Sequence, residues 1–348
     1  MRRYYPYNIY RAIKDNNIGL VTDILGDDNL DLNHPQLVEP PICYAINNDV
    51  DNNIIKLLIN HPYIDLNIKN KYNLTALHCA CVKHNFDIIK LLLSDERVNP
   101  YIFTDKNNSA LHLVCGYDQT CEIVIYLLEN YNYDINLINN NGTSGFYRAC
   151  YRSNLTVVKY LLENTDIDIN ITSNEGETAF TNVCSRNDNF DIFMLLYDIP
   201  KTSLVIDKPD DEGITPFMNA CAIGCIKKIK VLLENNNIDF NKQSITTGRT
   251  AFYQLCSHDT NIFDRIDAIK LLLDNHNIDV NKEDFIGNTP FNNACCKGNK
   301  MIVEVLINNS RIDKFKPNKL GKTPLESSYG IRNELIKVVS QFVDKLGV

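Results

Sequence analysis

Asn73-Leu74-Thr75-Ala76-Leu77-His78-Cys79-Ala80-Cys81 reads as a tight turn running into a helix, and Gly213-Ile214-Thr215-Pro216-Phe217-Met218-Asn219-Ala220-Cys221 repeats that reading further along. Asn and Gly accept a positive φ at least cost, so the first residue of each stretch marks the turn. Two residues on, a hydroxyl stands where the free N–H groups of a new helix need an acceptor. Pro216 takes the first helical position, where a missing N–H is harmless. Laid against itself, the 348-residue chain places this hydroxyl at Thr75, Ser109, Ser144, Thr178, Thr215, Thr250, Thr289 and Thr323, at intervals of 34, 35, 34, 37, 35, 39 and 34. A repeat of that length marks a solenoid, in which each module buries its apolar side only against its neighbours.

The other columns agree. Two residues before the hydroxyl, only Asn or Gly occurs: Asn73, Asn107, Gly142, Gly176, Gly213, Gly248, Gly287 and Gly321. Three places further back stand Asn70, Thr104, Asn139, Ser173, Asp210, Ile245, Asp284 and Asn318, mostly short side chains able to bond turn amides. After the hydroxyl comes a short helix with Leu or Phe at its second place. A second helix follows with paired aliphatics, as in Ile88-Ile89-Lys90-Leu91-Leu92, and an Asp-x-Asn turn such as Asp134-Ile135-Asn136 leads to the next finger. Weaker copies upstream end in Asp31-Leu32-Asn33 and Asp65-Leu66-Asn67. The expected fold is an all-α solenoid of about ten helix-turn-helix units joined by β-turn fingers. Residues 1–70 are expected to form an N-terminal cap and degenerate repeats, 71–318 the central repeats, and 319–348 a C-terminal capping repeat. An amphipathic capping helix is expected over Asn333–Leu346, and departures from the period over Pro200–Pro209 and in a longer inter-helix loop at His258–Ile266.

The Asn73 and Gly213 stretches resemble the G-x-T-P-L-H-x-A-A opening of the ankyrin repeat family, and the likeness runs over about residues 8–346. The histidine of that opening is kept at His78 and His112. The resemblance implies a non-catalytic scaffold that binds a partner protein along a concave face made of the fingers and first helices. It also implies that contact positions lie four, three and one residues before the hydroxyl and seven and eight after it. A second reading is an adaptor that presents a bound target to a host degradation or signalling complex; a third is nucleic-acid binding through a basic strip. The resemblance further implies candidate acceptors for an asparaginyl hydroxylase at Asn136, Asn170, Asn241 and Asn281.

Seven of the twelve cysteines, Cys81, Cys115, Cys150, Cys184, Cys221, Cys256 and Cys295, share one column six residues after the hydroxyl. Stacked helices lie about 8–10 Å apart, beyond the roughly 7 Å over which two Cα atoms can be bridged, so free buried thiols and a reducing compartment are expected. Cys296 is the exception, on a contact column. His78-Cys79-Cys81-His84 holds four metal-capable side chains, but on a helix only His78 and Cys81 share a face while Cys79 points about 100° away from His78, and no metal site is expected. No cofactor is expected either. P-loop, GxGxxG, HExxH and GxSxG patterns do not occur, and the repeats occupy nearly the whole sequence, which leaves no room for a separate catalytic domain. Met1-Arg2-Arg3 is not followed by an apolar stretch and no run spans a bilayer, so a cytoplasmic monomer is expected.

The chain carries a net charge of −8, which opposes a general coat for phosphate backbones. The contact columns nevertheless hold nine basic against five acidic side chains, favouring an acidic protein segment. Tyr and Arg dominate binding hot spots, so an aromatic and basic strip of Tyr72, Lys83, Tyr117, Tyr151, Arg152, Arg186 and Arg249 is the expected partner surface. Phe285 and Ile286, on another finger, form a second expected apolar anchor.

Overall fold

A computed structural model describes residues 6–27, 30–34, 37, 39–117, 120–199 and 204–328. The chain divides into two compact units, residues 1–168 and 169–348. Among the described residues there are nineteen helices and no strand, only an isolated bridge between Thr172 and Thr178. The expected helix at Asn333–Leu346 lies outside the described residues.

The first unit stacks five helix pairs: α1 (Pro6–Lys14) with α2 (Ile18–Leu25), α3 (Pro41–Asn47) with α4 (Asn52–Asn60), α5 (Ala76–Val82) with α6 (Phe86–Leu93), α7 (Ala110–Val114) with α8 (Cys121–Asn130), and α9 (Gly145–Tyr151) with α10 (Leu155–Asn164). The second holds α11 (Ala179–Cys184) with α12 (Phe190–Tyr197), α13 (Pro216–Ile223) with α14 (Ile226–Leu233), α15 (Ala251–Leu255) with α16 (Ile262–Asp274), α17 (Pro290–Lys297) with α18 (Lys300–Ile307), and α19 (Pro324–Ser327). Within a unit each first helix packs on its own second helix and on the first helices before and after it, as α5 does on α6, α3 and α7.

All eight hydroxyls act as read: each accepts from the amide three residues on, from Thr75 with His78 to Thr323 with Glu326. The Asn/Gly column has positive φ throughout, 58° at Asn73 and 76° at Gly213. Behind it, Asn70 Oδ1 accepts from the Tyr72 (2.9 Å) and Leu74 (3.0 Å) amides and closes the finger. The finger before α15 departs from the reading. Ser244, not Ile245, fills that column: its Oγ accepts from Thr246 and Thr247, and its own amide bonds to Arg249 O rather than closing four residues on. One extra residue is accommodated at the tip, and Ile245 is turned out of the fold.

In each unit the core is the apolar side of these pairs, with Leu77 and Phe146 in the first unit and Phe217, Phe252 and Phe291 in the second on first helices, and Ile89 and Val158, then Ile229 and Ile269, on second helices, all 3% exposed or less. The seven-cysteine column is buried and its thiols are free, while Cys296 is exposed. Burial pushes Cys115 and Cys295 up to about 12. The expected long loop at His258–Ile266 is corrected in part: from Ile262 on it is helix, so α16 has 13 residues where α14 and α18 have 8. The added turn carries Arg265, fully buried, whose guanidinium donates to the Thr260, Cys221, Leu255 and Ala222 carbonyls.

Candidate functional site

Successive fingers are tied edge to edge by backbone hydrogen bonds. In the first unit the Asn140 amide donates to Lys106 O (3.0 Å). In the second the rungs are Asp211 to Glu175 O (3.0 Å), Ile245 to Glu212 O (2.9 Å), Phe285 to Thr247 O (3.0 Å) and Lys319 to Ile286 O (3.2 Å). Tip side chains are therefore held on a row whose backbone polar groups are already used. On three adjoining fingers of the second unit that row is apolar and open: Ile245 is 67% exposed, Phe285 52%, Ile286 57% and Leu320 76%. Phe285 also lies over Gly248, where a Cβ would come 2.5 Å from its ring, so one face packs and the other is free. Lys319 Nζ donates to Phe285 O (2.9 Å) beside the row.

The predicted aromatic and basic residues fall into separate groups. Tyr72 is on the finger before α5, 66% exposed, with Lys71 Nζ 5.0 Å from its ring centre. Tyr117 and Tyr151 lie at the other ends of α7 and α9, about 10 Å away along a seven-residue helix. Tyr117 is half-buried with its ring 4.0 Å from His84, whereas Tyr151 is 44% exposed under Arg152, 5.6 Å from its ring. Most of the basic members are engaged within the fold. Lys83 pairs with Asp49 (2.5 Å). Arg186 is bidentate to Asp188 (3.0 and 2.9 Å), holding that carboxyl below the usual range. Arg249 lies over Tyr253 at 5.1 Å, and the Tyr253 hydroxyl donates to Asp284 (2.8 Å).

The turn asparagines are also at work. Asn136 Oδ1 accepts from the Asp168 amide (2.8 Å) and its Nδ2 donates to Asp166 O (3.1 Å). Asn241 and Asn281 bridge to the following repeat in the same way, and Asn170 accepts from Val205 (3.0 Å).

Sequence reasoning missed Ile245, because of the inserted residue, and did not single out Leu320 although it stands on a contact column, three residues before Thr323. It also missed two buried cations. Lys228 Nζ donates to Val183 O (2.6 Å), Arg186 O (2.6 Å) and Asn189 Oδ1 (2.9 Å), and Arg265 does the equivalent for the end of α13. A signal for Lys228 existed: its column elsewhere is apolar, with Ile54, Ile88, Ile123, Val157, Ile192, Ala268 and Ile302. Among the described residues, no three His, Cys, Asp or Glu side chains could share a metal ion, and no helix is long and apolar enough to cross a membrane.

A family model described as Ankyrin repeats (3 copies) matches residues 9–102, 98–173, 182–284 and 261–347. A search of curated proteins found no match.

Proposed function

The chain belongs to the ankyrin repeat family, whose repeats are generally protein–protein interaction modules and whose members are typically non-catalytic, and from that premise we propose that it is a binding scaffold that takes an amphipathic segment of a partner protein on its fingertips. The observation that carries this reading is the open row of Ile245, Phe285, Ile286 and Leu320 in the second unit. Isolated exposed apolar side chains are ordinary; four on three hydrogen-bonded fingers form a patch of the kind that marks an interaction surface. Arg249, Lys319 and Lys322 stand on the same fingers, so the partner segment carries apolar residues flanked by acidic ones. Tyr72 on its finger, and Tyr151 with Arg152 at the far end of α9, supply two separate secondary contacts in the first unit.

The test is capture of a partner by the full chain and by two variants. Ile245→Ser with Ile286→Ser and Leu320→Ser should leave the helical spectrum unchanged and weaken capture about tenfold or more, as loss of an interface centre does. Tyr72→Ala with Tyr151→Ala and Arg152→Ala should weaken it less. Equal capture by the first variant rejects the reading. Capture lost steeply with salt and insensitive to both variants would instead indicate phosphate-backbone binding.

A further inference from the structure

The extra residues that displace the second unit from its period also open a cavity of about 540 Å³ between the turn after α15 and the turn after α17. His258, Asp259, Lys297, Asn299 and Lys300 are among its walls. Behind it lies Arg265, whose donors go to carbonyls and to the Thr260 hydroxyl. No carboxylate is within ion-pair distance of it among the described residues. Its hydrogens are spent, and Asp259 on the cavity wall offsets its charge only from a distance, so a buried charge without a contacting counter-ion projects its field into the nearest polar space. His258 registers that field. Partial desolvation first, then Arg265, Lys297 and Arg249, hold its imidazole pKa below the ordinary value, with Asp259 opposing. A positive cavity on a chain of net charge −8 is a departure from the rest of the molecule.

We propose that this cavity binds a phosphate monoester dianion, with Lys297 and the His258 imidazole as donors and the buried Arg265 charge as a fixed electrostatic floor. A dianion suits it better than a single carboxylate, because several cations face one acid. Binding of the dianion draws a proton onto His258, so occupancy and His258 titration are linked. This site is separate from the fingertip row and its test uses no partner protein, so either can fail while the other stands.

The experiment follows the His258 imidazole by NMR, assigned with His258→Gln, in the full chain with inorganic phosphate replacing chloride at constant ionic strength. The His258 pKa should rise by about one pH unit, as for a histidine gaining an opposite charge. Lys297→Ala, at an exposed position, should weaken phosphate binding about tenfold, the scale of one hydrogen bond to a charged group. A phosphoserine peptide and its unphosphorylated form make the second arm. Preference for the phosphoserine peptide over inorganic phosphate assigns the site to phosphorylated protein segments, and the reverse assigns it to a free phosphate compound. No rise of the His258 pKa, or a rise unchanged by Lys297→Ala, overturns the proposal.

Discussion

The end of α7 in the first unit and the ends of α11 and α13 in the second leave carbonyls with the same need, since the last turn of any helix lacks intrahelical donors. In the first unit neutral groups meet it: Thr120 Oγ1 donates to Val114 O (2.5 Å), and Asn154 Nδ2 to the Cys115 (3.3 Å) and Tyr117 carbonyls. In the second unit the donors are the Lys228 ammonium and the Arg265 guanidinium, both fully buried. The residue three places after the capping hydroxyl differs as well: His78, His112 and Tyr147 in the first unit, against Thr181, Met218, Tyr253, Asn292 and Glu326 in the second, so only the first unit has histidine there. The repeat dictates where a polar group is required and leaves its charge free, so the two units should respond differently to pH and to substitution.

Acid should separate them most. His78 Nδ1 accepts from the Thr75 amide (3.2 Å) and His112 Nδ1 from Ser109 (3.3 Å), an arrangement that requires neutral rings. Desolvation lowers both to about 4. The unfolded chain therefore takes up these protons first as pH falls. The stability they supply is complete above the ordinary histidine value and is lost as pH drops towards 4, about 3 kcal/mol for each. His84, also in the first unit, is lowered in the same sense. In the second unit burial raises Asp207 and Asp210, which favours the folded form in acid, while Asp188, lowered by its bond to Arg186, and the surface His258 work the other way. Hydrogen exchange resolved by peptide should show the first unit opening at higher pH than the second. Simultaneous opening would remove the distinction.

Substitution of the buried cations comes next. Arg265→Met should destabilise the second unit by about 3 kcal/mol, because four carbonyls lose donors inside the fold. Lys228→Ile restores the aliphatic of its column yet strands the Val183 and Arg186 carbonyls, and should cost about 2 kcal/mol. Asn154→Ala, its neutral counterpart in the first unit, should cost about 1 kcal/mol or slightly more. If Lys228→Ile stabilises the unit in denaturant unfolding, the ammonium is a burden that packing can replace, and the parallel with Asn154 breaks.

How much of this was legible follows from what repeats. Turn, cap, core and cysteine columns recur eight times or nearly so, and each was read correctly because one steric or hydrogen-bonding need explains the whole column. Ile245 was misplaced because a single insertion shifted a finger with no change in its turn glycine. Arg265 was hidden because α16 gained a turn and moved the arginine into the column of Asn85 and Asn154, a correspondence that depends on knowing where the helix starts. The predicted strip of Tyr72, Tyr117 and Tyr151 joined a column three residues before the hydroxyl with columns eight and seven after it, and the intervening first helix sets these at opposite ends. Arg186 and Arg249, placed by their contact columns, carried no sign of their internal partners, Asp188 and Tyr253.

The smallest expected effect concerns Asp207, the one place where the ladder of turn asparagines is broken by a carboxylate. Asn33, Asn67 and Asn136 in the first unit, and Asn241 and Asn281 in the second, each accept an amide from the next repeat and donate to its carbonyl two residues earlier. Asp207 Oδ2 only accepts, from the Asp239 amide at 3.4 Å, and its buried Oδ1 has no hydrogen-bond partner among the described residues. Lys242, 3.7 Å away, compensates in part, and desolvation still raises the carboxyl pKa. Asp207→Asn supplies the missing donor and removes the cost of burying the charge. It should stabilise the second unit by about 0.5–1 kcal/mol at neutral pH, the net worth of one hydrogen bond. The gain should shrink as pH falls, because a protonated Asp207 can donate as Asn does. A variant less stable than the parent at neutral pH would mean that the Lys242 pair outweighs the donor, and that this rung differs from its five neighbours for an electrostatic reason.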